Sequence, residues 1–276
     1  MREFMQSAPV RLGGWALVLG ASSGFGEASS IALARAGLDI FGVHLDRKAT
    51  LTNVERIVAT IEGLGRQARF FNVNAADADR RAEVLEEMTR AIAARGDDGH
   101  LTVLLHSLAF GTLKPFIADP VKEAVSAAQM DMTIDVMAHT LVYWTQEVVA
   151  RGLMTEGGRI FALTSSGGRR VLPAYGPVSA AKAALESHVR QLAMELAPRR
   201  ITVNAIRAGV TPTPAAENSR LRHAGRPGAS PQPQRPSHHA RGRRPCARRP
   251  GPSRHRVDHG QRHRRRRRRG RRRVSS

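Results

Sequence analysis

The sequence predicts an α/β fold built on a doubly wound parallel sheet, and three observations predict it. Short apolar runs alternate with longer stretches of helical period through residues 1–217, which is the pattern of repeated βα units. A glycine-rich turn, Gly20-Ala21-Ser22-Ser23-Gly24-Phe25-Gly26, follows the first run and opens into the first helical stretch. The charge is also partitioned. The 276 residues carry a formal net charge of +21, but residues 218–276 hold 21 Arg, no Lys and one acid, Asp258, a net +20. Residues 1–217 are left at +1, so this part has none of the basic excess of a nucleic-acid-binding domain. Among residues 218–276 only Leu221, Val257 and Val274 are large and apolar. Such a segment buries too little surface to offset its ordering entropy, and an Arg/Pro-rich disordered tail is expected.

The elements follow in order. Residues 15–19 (WALVL) form an unbroken apolar run suited to a strand buried on both faces, and a helix is expected over 27–36, ended by Gly37. A strand over 40–43, a helix over 51–64 ended by Gly65 and a strand over 68–73 complete the next units. A helix over 78–94 leads to a strand over 101–106, and a loop runs on to Pro120. Helical segments through Arg151 precede a strand over 159–163. A helix over 177–196, with Pro177 in its first turn, and a strand over 201–206 follow. That makes six strands.

Two constellations carry chemistry. In the glycine-rich turn, residues without a Cβ let backbone N-H groups approach a pyrophosphate, which the positive end of the following helix stabilises. The spacing is G-x-x-x-G-x-G, and alone it is equally the mark of a plain strand-to-helix turn. The second constellation is Tyr175 and Lys182, with Ser165 ten residues before the tyrosine. Tyr175 falls at the mouth of a helix and Lys182 two turns along the same side. A phenol beside an ammonium has a lowered pKa and can hydrogen-bond or protonate an oxyanion; taken in isolation, the pair is also what a loop cap and a solvated lysine look like.

Together the motifs resemble the short-chain dehydrogenases/reductases, over residues 12 to about 215. The Tyr-x6-Lys spacing (YGPVSAAK) and the segment HSLAFG (106–111) are similar to those of the enoyl-acyl-carrier-protein reductases. Val178 occupies the tyrosine position of the ordinary Tyr-x3-Lys carbonyl reductases. The resemblance implies a Rossmann-type sheet, usually of seven strands, so the last strand is missing from this reading. It implies Tyr175, Lys182 and Ser165 as catalytic residues. It also implies Gly20, Ser22, Ser23, Gly24, Phe25, Gly26, His44, Arg47, Asn72, Val73, Ser107 and Lys182 around the cofactor. At the end of the second strand Asp46 favours NADH, while Arg47 and Lys48 favour NADPH. His44 stands where an NAD-selecting acid is usual, and the expectation leans to NADPH. Ser165, which many enoyl reductases replace by a second tyrosine, points instead toward a ketone, and Asp135 stands where the family usually has an Asn. The implied substrate is a 2-enoyl thioester on acyl-carrier protein or coenzyme A. The implied assembly is a homotetramer through helices 131–151 and 177–197, given an intact C-terminus.

The rivals are a 3-oxoacyl-type carbonyl reductase, an inactive scaffold of the same fold, and a nucleic-acid binder using the tail. The tail has no aromatic residue for base stacking, so no specific nucleic acid is expected. No metal-ligand spacing occurs, and His139 and His188 have apolar neighbours of the kind that surround interior or interface histidines. The sole cysteine, Cys246, lies in the tail. No apolar run approaches signal-peptide or membrane-spanning length, so a cytoplasmic location is expected.

The tail also reads as a frameshift product. An Arg-Arg pair written CGN-CGN becomes GNC one base out of register, which encodes only Gly, Ala, Val or Asp. Shifted in this way, residues 258–269 permit T-T-G-N-V-I-G-V-D-G-G, similar to the end of the family's last strand. Residues 238–247 permit T-T-P-E-D-V-A-R-A, similar to a helix start of the family.

Overall fold

A computed structural model describes residues 12–96 and 99–209. The tail lies outside the described residues, so the expectations placed on it are not addressed by the fold. Among the described residues the sheet has six parallel strands in the order β3-β2-β1-β4-β5-β6, where β1 is Trp15–Leu19, β2 Asp39–His44, β3 Ala68–Asn72, β4 Leu101–His106, β5 Arg159–Ser165 and β6 Thr202–Ala208. The helices are α1 Gly24–Arg35, α2 Leu51–Gly63, α3 Ala78–Ala93, α4 Ala127–Ile134, α5 Thr140–Ala150 and α6 Gly176–Leu196. The doubly wound parallel sheet expected from the sequence is the one found.

The longer helices bury faces that their sequences space correctly. In α2 the buried residues are Val54, Ile57 and Ile61, and in α6 they include Val178, Ala181, Leu185, Val189, Leu192 and Leu196. Asp77 caps α3 by accepting the Asp79 and Arg80 N-H groups at 3.0 and 3.1 Å. Ser126 and Gln129 form a reciprocal capping box at the start of α4. β1 and β2 are buried along their whole length, as central strands covered on both faces should be. Trp15 stacks on Phe41 with ring centroids 4.0 Å apart, anchoring the larger core.

Two features were not legible in the periodicity. The helical stretch before Arg151 is broken by a single π-helical turn, Asp135–His139, between α4 and α5. β6 runs two residues beyond the expected strand, to Ala208, and has a strand on one side only among the described residues. Its Val203 is buried, but Thr202, Asn204, Ala205, Ile206 and Arg207 are exposed. A groove of about 550 Å³ runs beside it, lined by residues that include Ala193, Ala197, Ile201 and Val203.

The sheet order reverses between β1 and β4. The carboxyl ends of these two strands lie side by side, with Leu19 opposite His106. Crevices at such reversals are where open α/β sheets take ligands.

Candidate active site

The glycine-rich turn is built at that reversal. Gly20 has φ +87°, and a Cβ there would stand 2.7 Å from the Ser107 carbonyl oxygen, so the turn and the tip of β4 can approach only through glycine. The Gly20 and Ala21 N-H groups both donate to the Val43 carbonyl, at 2.8 and 3.1 Å. A Cβ on Gly26 would run into the Gly20 carbonyl. Ser23 precedes α1 in extended conformation and makes no side-chain capping bond. The first-turn N-H groups of α1 can therefore face an anion, with Phe25, 38% exposed, beside them. Ser22 uses its carbonyl to accept the Asn53 amide at 2.7 Å.

At the end of β2 the expected residues are arranged differently from an open selector. His44 is buried, and its Nδ1 lies 2.9 Å from Asp46 Oδ2. Thr50 donates to Asp46 Oδ1 at 2.7 Å. Burial pushes the Asp46 carboxyl up, but hydrogen bonds from Ser22, Thr50 and His44 outweigh it, and the net shift is downward. Asp46 and Asn72 also exchange hydrogen bonds. The Asp46 N-H donates to Asn72 Oδ1 at 2.9 Å, and Asn72 Nδ2 donates to the Asp46 carbonyl at 3.0 Å. His44 thus braces Asp46 from inside, while Arg47 and Lys48 stand exposed. The Val73 N-H donates to the His44 carbonyl and the Ser107 N-H to Leu19, both at 2.8 Å, which places both residues along the same rim.

Of the second constellation, Ser165 and Tyr175 are in contact, while Lys182 is tied to backbone carbonyls near the ends of β4 and β5. Tyr175 precedes α6, and Pro177 fills its first turn. Ser165, at the end of β5, has its Oγ 3.2 Å from Tyr175 Oη and accepts the Gly167 N-H at 3.0 Å. Gly167 lies against the Tyr175 ring, which a Cβ there would strike. Lys182 is only 5% exposed, and its Nζ donates to the Leu163 carbonyl at 2.8 Å and to the Leu108 carbonyl at 3.3 Å. Burial lowers its pKa to about 8. Val178 is buried in a small apolar cluster with Met137 and Ala181, against which Tyr175, Leu113 and Ile134 pack.

Sequence reasoning missed the two carbonyls that hold Lys182, because they are backbone groups of segments distant in the chain. It also missed His106, fully buried at the tip of β4. Its presence in HSLAFG was visible, but its burial was not. Asp135 opens the π turn and hydrogen-bonds Tyr143, whose pKa is raised by burial and by that carboxylate. His139 Nδ1 lies 3.0 Å from His188 Nε2 where the π turn packs on α6. No group of three potential metal ligands occurs among the described residues, and none of their helices is long and apolar enough to cross a membrane.

The family model for Enoyl-(Acyl carrier protein) reductase matches residues 20–230. The chain belongs to the short-chain dehydrogenase/reductase family. It is 40% identical to the enoyl-[acyl-carrier-protein] reductase [NADH] of Nostoc sp., over 40% of this chain and 42% of that protein. It is 31% identical to the 1-cyclohexenylcarbonyl-CoA reductase of Streptomyces collinus, over 73% of this chain and 66% of that one. Among solved structures, the promiscuous reductase LugOII, which catalyses a keto-reduction, is 29% identical with a TM-score of 0.64, covering 74% of this chain and 80% of its own. A short-chain dehydrogenase from Burkholderia cenocepacia in complex with NADP is 28% identical with a TM-score of 0.63, covering 75% and 78%. The family is one of oxidoreductases that use NAD(H) or NADP(H).

Proposed function

We propose that this reductase reduces the carbon-carbon double bond of a 2-enoyl thioester, carried on acyl-carrier protein or coenzyme A, with NADPH or NADH. The observation that carries the reading is the displaced phenol. Tyr175 stands at the mouth of α6, and the position three residues on, where ordinary carbonyl reductases of the family have their tyrosine, holds the buried side chain of Val178.

The residues present fit a nicotinamide dinucleotide. The uncapped start of α1 offers N-H groups to the pyrophosphate, and Arg47 and Lys48 are free to meet a 2'-phosphate. Lys182 spends two of its three N-H groups on Leu163 and Leu108 and has a third for the ribose hydroxyls. When bound, the cofactor supplies a hydride to the β-carbon. Tyr175 Oη donates a hydrogen bond to the thioester oxygen as negative charge develops there. Ser165 accepts from Gly167 and keeps its own proton, so it can act as a second donor to the same oxygen.

The Ser165–Tyr175 contact favours a second reading, a carbonyl reductase in which both hydroxyls polarise a ketone. Oxidation of NADPH and NADH separates the two when a crotonyl thioester is compared with an acetoacetyl thioester, using this chain and one with the frame restored after residue 217. Faster turnover of the crotonyl thioester is expected. The opposite order establishes the ketone reading instead.

A further inference from the structure

The tip of β4 carries a polar group that the proposed chemistry does not use. His106 is fully buried, and its Nε2 lies 2.8 Å from Thr140 Oγ1. That hydroxyl donates its one proton to the Val136 carbonyl, also at 2.8 Å. Thr140 therefore has only a lone pair left for the ring, and His106 Nε2 must be the donor. The neutral ring is then the Nε2-H tautomer, with Nδ1 a bare acceptor that has no hydrogen-bond partner among the described residues. Burial, with the nearby Lys182 ammonium second, lowers the His106 pKa to about 3, so the ring stays neutral.

The bond spans two parts of the site. Two residues beyond His106 is Leu108, whose carbonyl receives Lys182, and between them the Ser107 N-H ties the strand to β1. On the far side, Val136 belongs to the π turn whose next residue, Met137, packs with Val178 and Ala181 of α6. The relay from His106 through Thr140 to Val136 thus joins the strand tip beside the glycine-rich turn to the floor beneath Tyr175.

We propose that His106 is a positioning residue whose Nε2-H bond to Thr140 holds the tip of β4 at the height where the Leu108 carbonyl receives Lys182. The inference rests on the reading of Lys182 as a cofactor-holding group. Its consequence is that the ring acts through hydrogen-bond geometry rather than through bulk. His106→Leu fills the space without a donor, His106→Gln keeps a donor at similar reach, and Thr140→Val removes the acceptor.

The test is titration of each variant with NADH and NADPH, together with NMR titration of Lys182, which needs no cofactor. Affinity is expected to fall about tenfold in His106→Leu and in Thr140→Val, to be largely retained in His106→Gln, and to fall no further in the double variant. Lys182, deprived of the Leu108 acceptor for its charged form, is expected to titrate below about 8 in His106→Leu and near it in His106→Gln. Nitrogen-15 shifts should show Nδ1 unprotonated in the wild type. Unchanged Lys182 titration in His106→Leu, additive losses in the double variant, or a protonated Nδ1 would overturn the inference. A wild type that binds neither nucleotide would instead count against the cofactor role of Lys182, and the Lys182 titration would still decide the role of His106.

Discussion

Tyr175 and Lys182 are assigned different tasks, and substitution separates them. Tyr175→Phe should lower the rate by ~10²-fold or more with little change in cofactor affinity, since the role proposed for the phenol is at the substrate oxygen. Lys182→Ala should weaken cofactor binding as well. Equal losses of affinity in both, measured by nucleotide titration, contradict this division. Two buried groups with lowered pKa values, Lys182 and His106, also contribute to the pH dependence of stability. Lys182 is lowered from 10.5 to about 8, so between those values the unfolded chain holds a proton that the folded one has released. Stability should therefore rise with pH across that window. His106 is lowered from 6.5 to about 3, so the unfolded chain again binds more protons between these values, and stability should fall as pH drops through them. Denaturant midpoints across pH, compared with His106→Leu, check the acid limb, which that variant should flatten. The placement of Tyr175 at the mouth of α6, Lys182 two turns along it and Ser165 at the end of β5 was legible because a helix brings residues seven apart to one side and a strand end delivers the serine. The His44–Asp46–Asn72 arrangement was not, since it depends on which of four polar residues turns inward at the end of β2.

Among the elements, the regular ones announced themselves through period and punctuation, and the irregular ones did not. The π turn inserts its extra residue without any proline or glycine to mark it, so residues 120–151 read as undivided helical segments. The tight crossing of the glycine-rich turn was half visible. The sequence showed three glycines, but only the fold shows that Gly26 touches the Gly20 carbonyl. Gly26→Ala should therefore cost folding stability and cofactor affinity together, read by thermal unfolding and nucleotide titration. β6 has a consequence of its own. The Thr202 N-H donates to the Gly158 carbonyl on the β5 side. Alternation then turns the backbone groups of Val203, Ala205 and Arg207 toward the outer edge. Their amides should exchange with solvent faster than those of Asn204 and Ile206 in hydrogen-exchange measurements.

For the molecule as a whole, the frame reading makes the sharpest expectation. Sequencing the coding DNA should reveal, one base out of register after about codon 217, a continuous frame that includes the valine-aspartate-glycine-glycine stretch at codons 258–269. A frame closed by early stop codons would end the idea. A chain translated in that frame should regain slow exchange at Val203, Ala205 and Arg207, and light scattering should find it as a homo-oligomer.

The outward backbone groups of β6 also bear on how the chain behaves in bulk. A strand edge that has no partner among the described residues and carries exposed Ala205 and Ile206 is a template on which identical edges can stack, the first step of sheet growth between molecules. A net charge of +21 opposes that encounter while ionic strength is low. The repulsion reaches about 30 Å in 0.01 M salt but only about 3 Å at 1 M. Turbidity of a concentrated solution should therefore climb with added salt, and an arginine or proline placed at Ala205 should suppress it.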